Sequence, residues 1–158
     1  MVREQFIAQV KSHQNALRSF LLALCGGNKA DADDLAQESL VKAYLAIERY
    51  RDSGQFKSWI FRIAYNTFLN HVASRKQYDS LEDASGVTAP ESADGSFANQ
   101  HLYMALSKLP PKERSSLILY YLCGYSVKEI AAITESSEDA VKKQMSRGRE
   151  KLKEIIRQ

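Results

Sequence analysis

Features of membrane and secreted proteins are missing from this sequence. The longest apolar run, residues 20–27, is far shorter than the roughly 18 residues needed to cross a bilayer, and it ends in glycine. Glu4, Gln5 and Lys11 interrupt the amino terminus, so there is no signal-peptide pattern. We therefore expect a cytoplasmic protein with no membrane insertion of its own.

Cysteine and histidine are scarce, and none of them stands at metal-ligand spacing. The two cysteines, Cys25 and Cys123, lie far apart among apolar neighbours, which favours free thiols over a redox or metal site. There is no nucleophile–base pair, and GGNK at 26–29 lacks the strand and spacing of a phosphate-binding loop. We predict no enzyme activity, catalytic residue, metal or cofactor.

The alternation typical of β-strands is also absent, whereas apolar residues recur at helical spacing along most of the chain. Residues 2–24, 31–50 and about 55–76 predict three helices, the second with Asp31 as its N-cap. Two further helices are predicted between residues 97 and 124, and two more follow Ser126. The predicted fold class is all-α.

Charge divides the chain into three segments. Residues 1–77 hold 11 Lys and Arg against 7 Asp and Glu, and residues 101–158 hold the same numbers. Residues 78–100 hold five acidic residues and no basic one, and are rich in Ser, Ala and Gly. This pattern predicts two small helical domains, 1–77 and 101–158, joined by a flexible acidic linker at 78–100.

The last segment predicts a helix-turn-helix. Ser126 and Glu129 form a capping-box pattern before a short helix, and a turn of three to four residues leads into a second helix with an apolar seam. Its outward side holds Lys151 and a row of candidate DNA contacts, Lys142, Lys143, Ser146, Arg147 and Arg149. In a helix-turn-helix such side chains reach bases and phosphates in the major groove. A basic helix alone would more readily be a solvated surface, but the capped helix, the turn and the seam together favour DNA binding.

These motifs resemble region 4 of bacterial RNA polymerase sigma factors, the domain that reads the −35 promoter element. The matching residues are Leu109-Pro110, Glu129-Ile130-Ala131 and Arg147-Gly148-Arg149 followed by Leu152. The chain departs from the family at Asp139-Ala140-Val141, where Gly-Thr-Val is frequent. The lost hydroxyl and the added acid change the phosphate contact expected at that position.

The amino-terminal block is similar to region 2 of the same family. The matching residues are Asp34, Gln37 and Glu38 in one motif, and Phe56, Trp59, Ile60, Arg62, Ile63, Ala64 and Asn66 in another. A chain of this length with only these two regions resembles the extracytoplasmic-function (ECF) group of the sigma-70 family.

The resemblance implies a sigma factor that binds core RNA polymerase, through the β′ clamp coiled coil and the β flap, and directs transcription initiation on promoter DNA. One face of the second helix is expected to bind the polymerase: Asp34, Gln37, Glu38, Val41 and Leu45. The outward row of the helix-turn-helix is expected to read −35. An anti-sigma factor is a further expected partner.

The third helix is expected to open the −10 element and to hold a flipped base. Its DNA-binding residues are predicted to be Arg62, Tyr65, Asn66, Asn70, Arg75 and Lys76. Arg62, Asn66 and Asn70 are four residues apart and so share one line on the helix, which suits a separated DNA strand. For any single aromatic residue we favour core packing, with Phe61 and Tyr65 ranked first among those that could face outward. Among the amides we expect Asn66 to contact the base.

Two other interpretations stay open at this point. The chain could be a DNA-binding regulator that uses only the helix-turn-helix, with residues 1–77 as an oligomerisation or sensor module. It could also be a protein that docks on the polymerase without any promoter function. The regulator would bind duplex DNA tightly without polymerase, and the docking protein would be insensitive to Lys143→Ala and Arg147→Ala.

Overall fold

Helices make up the regular structure of this protein in a computed structural model that describes residues 1–50, 55–81 and 97–157. Within these ranges there are seven α-helices: α1 Arg3–Leu24, α2 Lys29–Leu45, α3 Phe56–Leu81, α4 Phe97–Ser107, α5 Pro111–Tyr121, α6 Val127–Thr134 and α7 Glu138–Arg157. A short 3-10 helix, Ile47–Arg49, follows α2. The described ranges contain no strand, so the all-α prediction is confirmed. None of the helices in these ranges is both long and apolar enough to cross a membrane.

The junction between α1 and α2 shows how local sequence places the helix ends. Gly26 and Gly27 have φ of 65° and 89°, in the left-handed region where glycine alone is unstrained, and they end α1. The N-cap of α2 is Asn28, whose side-chain oxygen accepts a hydrogen bond from the backbone N–H of Asp31 at 3.1 Å. The prediction of Asp31 as the cap was therefore wrong. Both residues are good caps, and the glycine pair turns the chain early enough for the first of them to act.

Helices α1, α2 and α3 form the core of the amino-terminal domain. Phe20, Leu21 and Leu24 of α1 are fully buried, as are Ala36 and Ala43 of α2. The start of α3 adds a cluster of rings in which Tyr50 lies 5.7 Å from Phe56 and 4.9 Å from Trp59 between centroids. Such aromatic packing accounts for much of the burial in a domain this small.

Helices α4 to α7 form the second domain, which contains the predicted helix-turn-helix. The Ser126 side chain accepts from the Glu129 backbone N–H at 3.1 Å, and the Glu129 carboxylate accepts from the Ser126 N–H at 3.0 Å. The predicted capping box at the start of α6 is thus confirmed. Three residues, 135–137, separate α6 from α7, as the turn length predicted.

The two domains pack against each other, with α1 and α3 facing α4, α5 and α6. Phe61 of α3 lies at this contact, 5.2 Å from the Tyr125 ring and 5.3 Å from the Phe20 ring between centroids. Phe61 is fully buried and Tyr65, one turn later on the same face, is 4% exposed. Both residues therefore have the core role favoured for each aromatic, and their ranking as the outward-facing pair was wrong. At Phe61 the cause is the second domain, whose Tyr125 covers this face of α3.

The segment predicted as a linker, residues 78–100, overlaps the ends of two helices. Its first residues, 78–81, continue α3, and its last, 97–100, already belong to α4. Residues 82–96, to which the prediction of an acidic flexible linker chiefly applied, lie outside the described residues. The family resemblance also assigns the loop at 50–55 to the opening of the −10 element, and residues 51–54 of that loop lie outside the described residues as well.

Candidate polymerase and nucleic-acid interfaces

The predicted polymerase-binding face of α2 is exposed along its whole length. Asp34, Gln37 and Glu38 are exposed, and Val41 and Leu45 are 59% and 78% exposed. Because these residues recur every three or four positions, they lie together on one side of α2, away from its buried side. Two large aliphatic side chains open to water on a helix with acidic neighbours suit a protein-docking surface.

Tyr44 extends this face, although it was not among the predicted polymerase-binding residues. It is 47% exposed, and its ring packs edge-on to the ring of Phe6 with 5.7 Å between centroids. Its position three residues after Val41 placed it beside the predicted face, and that spacing was the available signal. Aromatic side chains are enriched at protein interfaces because they bury a large area at a low cost in conformational entropy.

The predicted −10 residues of α3 fall into two groups. Asn66, Asn70 and Lys76 are exposed, and the side chains of these three make no hydrogen bond or ion pair within the described part of the chain. Arg75 is exposed but pairs with the Asp31 carboxylate at 2.8 Å, so its charge is partly balanced inside the same domain. Tyr65 is buried and contributes no surface in this arrangement.

Arg62 has a contact that no sequence pattern indicated. Its guanidinium donates two hydrogen bonds to the carbonyl oxygen of Ala132 in α6, from Nη2 at 2.8 Å and from Nε at 3.1 Å. Its Nε also lies 3.6 Å from a carboxylate oxygen of Glu135. The structure therefore brings the first member of the predicted DNA line into the contact between the two domains.

Glu135, the C-cap residue of α6, has an unusual backbone conformation. Its φ and ψ are 53° and 43°, and no other non-glycine residue among those described has a positive φ. For a residue with a Cβ this left-handed conformation costs roughly 1–2 kcal/mol. The turn of the helix-turn-helix therefore has a residue where glycine would be less strained.

The predicted −35 row lies on the outer face of α7. Lys142, Lys143, Ser146 and Arg147 are exposed, and their side chains have no hydrogen bond or ion pair among the residues described. Arg149, the fifth member, is also exposed, and it donates to the Tyr121 hydroxyl at 3.2 Å. Four adjacent polar and basic groups are thus free to meet an acceptor from outside the chain.

Besides the hydrogen bond from Arg149 to Tyr121, three contacts hold α7 against α5 and so set the direction of this row. Ser116, fully buried in α5, donates to the side-chain oxygen of Gln144 at 2.8 Å. Lys151 pairs at 3.0 Å with Glu113, which is 8% exposed. A Cβ added to Gly148 would lie 2.7 Å from Leu117 Cδ1, so the absence of a side chain allows the close approach of the two helices. The apolar seam of α7 was predicted from the sequence, whereas these polar contacts were not.

Arg114 of α5 is a second residue that sequence reasoning missed. Its guanidinium donates to the carbonyl oxygens of Leu24 at 2.9 Å, Ser107 at 3.0 Å and Leu109 at 2.8 Å. It therefore joins the ends of α1 and α4, where helix carbonyls lack partners of their own. Burial lowers the pKa of Arg114 from its usual value. A single Arg shortly after Leu109-Pro110 gave no hint of a contact 90 residues away along the chain.

Both cysteines are free thiols, as predicted. Burial raises the pKa of Cys25 to about 12 and that of Cys123 to about 11. Both thiols are therefore protonated at neutral pH, and a protonated thiol is a poor nucleophile and a poor metal ligand.

The fold and these surfaces define a two-domain helical protein with a helix-turn-helix, and comparison with known proteins identifies the class. Residues 9–78 match the family described as Sigma-70 region 2, and residues 100–152 match Sigma-70, region 4. The chain is 32% identical over 160 residues to the ECF RNA polymerase sigma factor EcfG of Rhodopseudomonas palustris, covering 98% of this chain and 84% of that protein. It is also 32% identical over 148 residues to the ECF sigma factor SigM of Bacillus subtilis, covering 90% of each. The chain belongs to the sigma-70 family of RNA polymerase sigma factors and, within it, to the ECF group.

Two solved structures share this fold. The sigma factor RpoE of Bartonella quintana, in complex with the anti-sigma factor NepR, matches with a TM-score of 0.82 at 27% identity, over 98% of both chains. CnrH, in complex with the cytosolic domain of CnrY, has the same fold with a TM-score of 0.74 at 24% identity, over 98% of this chain and 89% of that one. The RpoE match spans both domains, so the packing of the two domains seen here is similar to that in RpoE.

Proposed function

We propose that this protein binds core RNA polymerase and directs initiation at promoters with two elements, region 4 reading −35 and region 2 opening −10. Sigma factors direct promoter-specific transcription, and this chain is one of them. The observation that carries the finer proposal is the outer face of α7, where Lys142, Lys143, Ser146 and Arg147 are exposed and unengaged. Side chains of this kind on the second helix of a helix-turn-helix can reach guanine edges and phosphates.

The −10 element is assigned to α3. Asn66 and Asn70 are exposed one turn apart, and an amide can both donate to and accept from the edge of an unstacked base. Lys76 and Arg75 at the far end of α3 would neutralise phosphates of the same strand. Arg62 would join them when it is released from Ala132. Tyr65 is left out of this surface because it is buried.

The polymerase contact is assigned to the exposed face of α2, with Val41 and Leu45 at its centre and Asp34, Gln37 and Glu38 beside them. By the family resemblance, the counterpart is the β′ clamp coiled coil, and the β flap would receive region 4. The proposed division of the chain stays 1–77 for region 2, 78–100 for the linker and 101–158 for region 4. The protein would act in the cytoplasm without catalysing a step itself, since the polymerase forms the RNA bonds.

An anti-sigma factor is proposed as the negative regulator. The support is the structure of RpoE, whose two-domain arrangement is similar and which was solved with an anti-sigma factor bound. The exposed apolar residues of α2 would be buried by such a partner as they would be by the polymerase.

The test is transcription in vitro with purified protein, core polymerase and genomic DNA fragments, followed by sequencing of the RNA products. We expect discrete start sites that share two upstream elements at a constant spacing. Binding to polymerase without initiation would favour the docking protein, and no binding to polymerase would favour the regulator.

Two substitutions separate the roles of the surfaces. Asn66→Ala should reduce promoter opening while leaving polymerase binding intact, with the exposed Asn15→Ala in α1 as the matched control. Leu45→Asp should abolish polymerase binding, with Ile7→Asp, another exposed apolar residue (41% exposed), as its control. An equal loss of both activities with Asn66→Ala would contradict the assignment of α3.

A further inference from the structure

At the carboxyl end of α6, Arg62 meets oxygen acceptors that together resemble an anion. The last carbonyl groups of a helix lack intrahelical partners and carry partial negative charge. Arg62 meets this end of α6 through the Ala132 oxygen at 2.8 Å and 3.1 Å, and the Glu135 carboxylate stands beside it at 3.6 Å. A carbonyl and a carboxylate together present to the guanidinium what a phosphate would present.

Glu135 strengthens this interpretation because its position is unfavourable for any residue with a Cβ. It adopts a left-handed conformation that favours glycine, and its side chain is 64% exposed. The ion pair with Arg62 is the one ion pair or hydrogen bond of its side chain among the described residues. The strained residue therefore supplies negative charge at the point of the turn that faces α3.

Apolar packing next to Arg62 also holds the two domains together. Phe61 is fully buried against the Tyr125 ring, and Lys57 Nζ lies 4.4 Å from the centre of that ring. A cavity of about 430 Å³ lies next to this contact, and Cys123 is among its lining residues. Arg62 directly follows Phe61 and lies one turn before Asn66. It therefore belongs both to the contact between the domains and to the proposed DNA-binding line of α3.

We propose that the carboxyl end of α6 and the Glu135 carboxylate act as an internal negatively charged group, which binds Arg62 in the free protein in place of a DNA phosphate. The free protein is closed on itself in this state, and its −10 surface becomes complete only when the two domains separate. The closing contact stands on the geometry alone, whereas the competition with DNA rests on the proposed function of α3.

The first experiment measures closure without polymerase or DNA. Alkylation of Cys123 by iodoacetamide, followed residue by residue by mass spectrometry, reports how often the domains open. Arg62→Ala should raise its rate about tenfold, the usual scale of a partly exposed charge-assisted hydrogen bond and equal to about 1.4 kcal/mol. Glu135→Gly should also raise the alkylation rate of Cys123, but by a smaller factor. This variant is expected to fold because glycine relieves the backbone strain at position 135.

The matched control is Arg75→Ala, which removes the same charge from the same helix but breaks a pair with Asp31 inside one domain. It should leave the alkylation rate of Cys123 unchanged. Equal rates in the wild type, Arg62→Ala and Glu135→Gly would overturn the proposal, as would an equal rise with Arg75→Ala.

The second experiment tests competition with DNA. A single-stranded oligonucleotide carrying the −10 sequence found by transcription should bind free Glu135→Gly and Glu135→Gln about threefold or more tighter than wild type. Arg62→Ala should not gain affinity, because it opens the domains but lacks the cation. Faster alkylation without tighter DNA binding by the Glu135 variants would refute the competition. Failure of the proposed function itself would show separately, as absence of initiation by the wild type.

Discussion

Gly148 offers a sharp test of how the recognition helix α7 is placed. The substitution is Gly148→Ala, which adds one carbon in the middle of α7, where helix α5 lies closest. By propensity alone the change should stabilise the helix by about 1 kcal/mol. The added Cβ would, however, lie 2.7 Å from Leu117 Cδ1, 3.3 Å from Leu117 Cγ and 3.4 Å from Glu113 Cβ. Leu117 is 2% exposed and has little room to move away.

The balance of the two effects gives the expected sign. Overpacking of a filled core costs about 1–3 kcal/mol, which outweighs the gain in propensity and leaves a net loss of about 1 kcal/mol. Urea unfolding followed by circular dichroism at 222 nm measures this loss. The same displacement would tilt the row that contains Lys143 and Arg147, so affinity for the −35 duplex should fall although no DNA-facing residue is changed.

A double-mutant cycle isolates the contact. Leu117→Ala alone should cost about 2–5 kcal/mol, but in its background Gly148→Ala should be neutral or stabilising because the clash is gone. Ser146→Ala, at an exposed position on the same helix, should be slightly stabilising in either background. If Gly148→Ala stabilised the wild type by the full propensity gain, the close approach of α5 and α7 would not be a constraint and this reasoning would be refuted.

Three further predictions follow from individual contacts. Lys143→Ala and Arg147→Ala should each weaken −35 binding by about 1–3 kcal/mol if they make bidentate base contacts, with the exposed Lys153→Ala as a control of small effect in fluorescence anisotropy. Backbone hydrogen bonding lowers the pKa of Glu129, so its contribution to the stability of α6 should be complete above the ordinary carboxyl pKa of about 4.3 and lost as the pH falls through the lower folded value. An NMR titration of its carboxyl carbon tests this, and Glu129→Gln should remove that part of the pH dependence. Arg114→Ala should cost at least about 2 kcal/mol in urea unfolding, because three carbonyl groups lose a charged donor; a loss within error would contradict its role.

Local sequence was sufficient for the elements and for the surfaces that depend on one helix. The capping box at Ser126, the glycine stop after α1 and the spacing of Val41 and Leu45 are all short-range signals, and each has its expected place in the structure. The apolar seam of α7 predicted which side faces α5, and the remaining side is the exposed basic row. The N-cap of α2 was wrong by three residues because two good caps compete within one turn, and the glycine pair decides between them.

The errors on α3 have one physical cause, which lies outside the helix. Two lines of residues run side by side along its surface, one through Phe61 and Tyr65 and the other through Arg62, Asn66 and Asn70. Periodicity defines both lines but does not say what covers them, since a second domain can bury either. Here α6 and Tyr125 meet the first turns of α3, so Phe61 is buried and Arg62 is engaged, whereas Asn66 and Asn70 are exposed. A shift of the second domain away from α3 would therefore free Arg62, whereas Asn66 and Asn70 are already exposed and would not change. Arg62 can for this reason belong to the contact between the domains in one state and to the DNA-binding line in the other.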